Sequence, residues 1–77
     1  MAEPTKIELY IIKVAKQKRK AVKMSQAELS HQMDKNTSWV GHVENGLHRA
    51  KYNVNHINSL AEIFKCSPRD FLPDKPL

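Results

Sequence analysis

Glycine is nearly absent from this chain. Gly41 and Gly46 are the only two among 77 residues, so no glycine-rich loop is available to cradle a phosphate. Cysteine is limited to Cys66, which excludes an internal disulfide and a four-cysteine metal site and fits a reducing compartment. His31, His48 and His56 are scattered without metal-ligand spacing, so neither zinc nor any other cofactor is expected. No run of about 18 apolar residues occurs, and no membrane span is expected. The opening MAEPTKIE lacks the basic-then-apolar order of a secretory signal, so a cytoplasmic location is expected. No paired-carboxylate cleft and no nucleophile with a matching base can be assembled, so neither an enzyme nor a small-molecule substrate is expected.

Acidic residues are missing over a long interval. None falls between Glu8 and Glu28, while Lys13, Lys16, Lys18, Arg19, Lys20 and Lys23 all do. With a net charge of +5, this distribution favours a polyanionic partner. Lysines in the last turns of a helix also complement its dipole, so part of the run has a structural explanation. Seventy-seven residues make one domain, which buries only about 60–65% of its unfolded surface.

What is present is helical pattern. Thr5 with Glu8 forms a capping box, and Ile7, Tyr10, Ile11 and Val14 follow at helical period, which predicts a first helix over 6–22. Ser25 with Glu28 repeats the box and opens a second helix over 26–33, behind a buried Met24. Asp34-Lys35-Asn36 makes a tight turn in which Asp34 takes the left-handed conformation. Asn36 or Thr37 then caps a third helix over 37–44. Its Val40 and Val43 point inward, and Gly46 closes it. Ile57, Leu60, Ala61 and Phe64 predict a fourth helix over 54–65, capped by Asn53 or Asn55. Ser67, Pro68 and Asp70 start a short fifth over 68–72, whose Phe71 and Leu72 fold back onto the core. The expected fold is all-α: a frayed 1–4, a five-helix domain over 5–73, and a tail over 74–77.

The stretch SQAELSHQM, a three-residue turn and then NTSWVGHVENG resembles the lambda-repressor-like helix-turn-helix family, the Cro/cI-type transcriptional regulators. Ser-Gln-x-x-Leu and Val-x-x-Val-Glu-Asn-Gly stand at the family's spacing, and the likeness runs over about residues 7–72. Asp34 and Lys65 stand where the family often has glycine, and Ser30 where it has alanine. The loop after Gly46 aligns poorly.

The resemblance implies a sequence-specific DNA-binding regulator of bacterial or phage type, acting as a repressor and bound as a homodimer to a palindromic operator. The third helix would enter the major groove, where base edges carry an unambiguous code. Thr37, Ser38, Trp39, Gly41 and His42 would contact bases there. Gln26, Asn36, Asn45, Arg49 and Lys51 would contact phosphates. Arg19 and Glu44 match positions that form a buried ion pair in some members. Any dimer would have to use the last two helices or the tail, with Phe71, Leu72 and Leu77 as candidates.

Several of these residues also have plainer readings. Trp39 is either a rim residue beside the fourth helix, a contact to a thymine methyl or sugar, or a contact to a second protein. His42 can be an exposed polar residue, Arg49 and Lys51 solubility charges, and Thr37 and Ser38 helix caps. Cys66 reads as a small buried hydrophobe rather than a redox switch. The alternative function is an antitoxin-like or regulator-binding interaction module that keeps the fold without reading DNA. Its support is the lack of Arg, Lys, Gln and Asn in the middle of the third helix, because those residues make the commonest bidentate base contacts.

Overall fold

The computed structural model describes residues 3–46 and 49–77. Among these there are four α-helices, one 3₁₀ turn and no strand. The helices are α1 (Lys6–Ala21), α2 (Gln26–Gln32), α3 (Trp39–Asn45) and α4 (Val54–Phe64), followed by the 3₁₀ turn Pro68–Phe71. None of the described helices is long and apolar enough to cross a membrane.

Each start except that of α3 is fixed by the residues just before it. The Thr5 hydroxyl accepts from the Glu8 N–H at 3.3 Å, and the Glu8 carboxylate accepts from the Thr5 N–H at 2.7 Å. Ser25 and Glu28 repeat the arrangement at α2. At α4 the returning acceptor is an imidazole: His56 Nδ1 accepts from the Asn53 N–H at 3.0 Å. Both expected left-handed positions are present, Asp34 at φ 58° and Gly46 at φ 74°. Lys23 and Lys65 also adopt positive φ, which places a backbone conformation suited to glycine under two lysine side chains.

The core is built from Ile11, Ile12 and Ala15 of α1, Leu29 of α2, Val40 and Val43 of α3, and Ile57, Leu60 and Ala61 of α4. Met33, Tyr52 and Phe71 complete it. Phe71 is fully covered and closes the end of the cluster, and burying such a side chain contributes about 1.5–3 kcal/mol. Met24, Phe64 and Cys66 are half-buried against the outside of this cluster.

The structure departs from the expected elements in three respects. The last element is four residues of 3₁₀ helix rather than a fifth α-helix, and its Leu72 stays 41% exposed while only Phe71 turns inward. The inward face of α1 runs through Ile11, Ile12, Ala15 and Arg19, not through Ile7, which is 41% exposed at the helix's overhanging first turn. Helix α3 begins at Trp39, two residues late: Thr37 and Ser38 form a turn before it, and the Val40 N–H of its first turn is capped from elsewhere in the chain.

That cap comes from α2. Ser38 makes no side-chain cap bond, although it precedes the helix. The Ser30 hydroxyl, fully buried, accepts from the Val40 N–H at 3.0 Å and donates to the Gln26 carbonyl at 2.9 Å. One side chain therefore satisfies an orphan donor of α3 and fixes α2 against it. An alanine there would fit the space but leave the Val40 N–H without that partner.

Candidate nucleic-acid interface

The surface of interest is the outward side of α3 together with the turn that leads into it. Asn36, Thr37, Ser38, His42 and Asn45 are exposed there, and half-buried Gly41 lies among them. The only charged residue between Asn36 and Gly46 is Glu44, whose side chain is 3% exposed. The ridge therefore carries hydroxyl, imidazole and carboxamide groups and no formal charge of its own.

Several of these groups are held in place. The Asn36 carboxamide oxygen accepts from the Ser38 N–H at 3.2 Å and from its hydroxyl at 3.1 Å. His31 Nε2 lies 3.0 Å from the Thr37 hydroxyl, which links the end of α2 to the turn.

Beneath the ridge is a buried charge cluster. Arg19 Nε donates to Glu44 Oε2 at 2.8 Å and Arg19 Nη2 donates to Oε1 at 2.9 Å, a bidentate pair. The two side chains are only 9% and 3% exposed. Arg19 Nη1 also donates to the Met24 carbonyl at 2.8 Å, so one guanidinium ties α1, the α1–α2 connection and α3 together. The Glu44 carboxylate raises the Arg19 pKa further above its ordinary value through these hydrogen bonds. Buried beside them is the Tyr52 hydroxyl, pushed well above the ordinary phenol range by burial first and by Glu44 second.

Gln26 reaches the same carboxylate from α2. Its Nε2 donates to Glu44 Oε1 at 2.9 Å. Its carboxamide oxygen lies 3.1 Å from the point where a Cβ on Gly41 would stand. Gly41 thus admits the side chain of Gln26 across the face of α3. Local sequence gave no signal for this contact, which joins residues 15 positions apart.

Two expected contacts are occupied differently. Trp39 is drawn to the side of the molecule, its ring edge-on to His56 at 4.9 Å and to Tyr52 at 5.6 Å, with the Lys35 ammonium 5.0 Å from its centroid. This is the rim position beside α4, not the outward ridge. Lys51 turns to α1, where its ammonium lies 3.2 Å from the Glu8 carboxylate. Glu8 is held below the usual carboxylate range, chiefly by the Thr5 N–H and then by Lys51. Arg49 is exposed in the same connection, and Asn45 is exposed at the end of α3. His48 lies outside the described residues. Among the described residues no group of His, Cys, Asp and Glu is placed to hold a metal ion.

No protein-family model, no curated protein and no solved structure matches this chain.

Proposed function

We propose that this chain is a sequence-specific DNA-binding transcriptional regulator, acting as a repressor, with α2 and α3 as a helix-turn-helix and α3 in the major groove. The observation that carries the reading is the uncharged, hydrogen-bonding ridge of Thr37, Ser38 and His42, mounted on a buried ion pair. Polar groups exposed in a row on a rigidly held helix suit the donors and acceptors of base edges. The net charge of +5 supplies attraction to phosphates that carries no sequence information. Exposed Arg49, Asn36 and Asn45 flank the ridge in the chain and are the phosphate contacts in this reading. The resemblance to lambda-repressor-like regulators supports the same assignment, and with it binding as a homodimer to a palindromic operator.

A protein-interaction module is the competing reading, and one observation favours it: no cation and no amide of α3 itself lies between Ser38 and Glu44. Binding to a random duplex pool at about 50 and 200 mM salt, followed by selection, separates the two. Each neutralised phosphate contributes about 0.9 to the log–log salt slope. A steep slope with enrichment of one short palindrome supports a dimeric operator binder. A steep slope without enrichment leaves only non-specific attraction, and no binding at low salt overturns the proposal.

A further inference from the structure

The outward face of α3 has a gap at its centre. Gly41 contributes no side chain, and neither Ser38 nor His42 offers the paired donor and acceptor of an amide. The gap is filled from outside the helix. The carboxamide of Gln26 extends from α2 over Gly41, its oxygen within 3.1 Å of where a side chain at position 41 would begin. We propose that Gln26 lends α3 an adenine-reading amide that the helix's own sequence does not provide. The inference rests on the DNA-binding reading.

The orientation of the amide follows from its partner. A carboxylate only accepts hydrogen bonds, so the atom facing Glu44 at 2.9 Å must be the nitrogen. Glu44 is itself fixed by the bidentate Arg19 and is almost fully covered, so the anchor does not move with solvent. A primary amide has two N–H groups. One goes to Glu44, which leaves the oxygen and the second N–H. That acceptor–donor pair is what the major-groove edge of adenine requires, with N6–H₂ donating to the oxygen and N7 accepting from the N–H. Guanine presents acceptors at both positions and would face the carbonyl oxygen with another oxygen. The family resemblance implies a phosphate contact for Gln26. Its second N–H can still donate to a phosphate, but its oxygen cannot accept from one, and that oxygen is the atom that adenine N6–H₂ would engage.

The experiment is selection from a random duplex pool with the wild type and with Gln26→Met, which keeps length and helix propensity at an exposed position. The expected result is that the variant keeps the wild type's helix content, melts lower by no more than one hydrogen bond to Glu44 is worth, and loses adenine preference at one position per half-site. Discrimination there falls by roughly 5- to 150-fold, the worth of a good bidentate pair. The salt slope stays unchanged. In the wild type's selected duplex, 7-deazaadenine or purine at that position should weaken binding, and Gln26→Met should be indifferent to both. Gly41→Ala supplies a second variant: its Cβ would stand 3.1 Å from the amide oxygen, which must then give by a few tenths of an ångström, and this should blur the same position. A Gln26→Met pool with all preferences intact overturns the inference. So does a uniform loss of affinity across sequences with the slope reduced by about one, which would assign Gln26 to phosphate and leave the DNA-binding reading standing. A wild type that binds no duplex removes both.

Discussion

Arg19 is the residue on which most elements depend. Its guanidinium satisfies both oxygens of Glu44 and the Met24 carbonyl while almost entirely buried. Replacing a buried pair by apolar groups can be harmless, but removing one member leaves the other charged and covered. Arg19→Met should therefore lower unfolding stability by about 3–5 kcal/mol, measured by urea denaturation. An unchanged midpoint would mean that Gln26 alone can support Glu44. His56 supplies a second residue-scale outcome. Its pKa is lowered by burial first and by Lys35 second, against an opposing hydrogen bond to the Lys51 backbone. Protonation would also remove the Nδ1 acceptor that caps α4, beside the cation at Lys35 that already covers Trp39. The neutral form is favoured on folding, so the unfolded chain binds more protons between the folded and unfolded pKa values. The His56 contribution is thus complete above the ordinary imidazole range and is lost as pH falls from about 6.5 through the folded value. Glu8 works in the same sense, but below the ordinary carboxylate range, so the two windows separate. His56→Gln keeps a capping acceptor without titrating, and its melting temperature should vary less than the wild type's between pH 7.5 and 5, each approximate bounds for the imidazole window. Equal slopes in the two proteins would remove His56 from the account.

The elements show how far local chemistry reaches. Ser30 is the test case, since it caps α3 from within α2. Ser30→Ala should cost about 1–3 kcal/mol, the penalty of a buried donor left unpaired, without changing helix content by circular dichroism. A smaller effect would show that the start of α3 can recruit Ser38 or Asn36 instead. Thr5 with Glu8, Ser25 with Glu28 and Ser67 with Asp70 announce their helices in the sequence, because each box lies within four consecutive residues. Gly46 and Asp34 are legible for the same reason, as single residues whose φ is a local property. The start of α3 was not legible, since its cap sits ten positions upstream on another helix. The final turn looked like an α-helix because Ser-Pro-x-Asp serves equally well to begin a 3₁₀ turn. Ile7 fits the period of α1 but lies where the helix has passed the edge of the core, which periodicity does not register. At the candidate interface, Arg19 and Glu44 were accessible only through the family resemblance. Gln26 over Gly41 and Lys51 on Glu8 required the fold itself.

At the scale of the whole molecule, a net charge of +5 does not say how many cations a polyanion would meet. Some are already committed: Arg19 to Glu44, Lys51 to Glu8, and Lys35 to the face of Trp39. Lys18 leans over Phe71, its ammonium 5.5 Å from the ring centroid. Arg49 is exposed. Counterion release counts phosphates neutralised at the interface, not formal charge, so arginine and lysine of this one connection should behave differently. Arg49→Gln should reduce the log–log salt slope by about one per protomer and weaken all duplexes to a similar degree, leaving base preferences intact. Lys51→Gln should leave the slope nearly unchanged, because its charge is opposed by Glu8 at 3.2 Å and its removal frees a carboxylate rather than a phosphate. It should instead cost a small amount of stability, at most about 1 kcal/mol for a partly exposed pair. Anisotropy titrations of both variants across a series of salt concentrations decide the matter. Equal slope changes would mean that Lys51 leaves Glu8 on binding, so that the α1 pairing holds the connection only in the free protein. A flat slope for Arg49→Gln would place the duplex away from this connection, with the phosphate contacts confined to α3 and the turn before it.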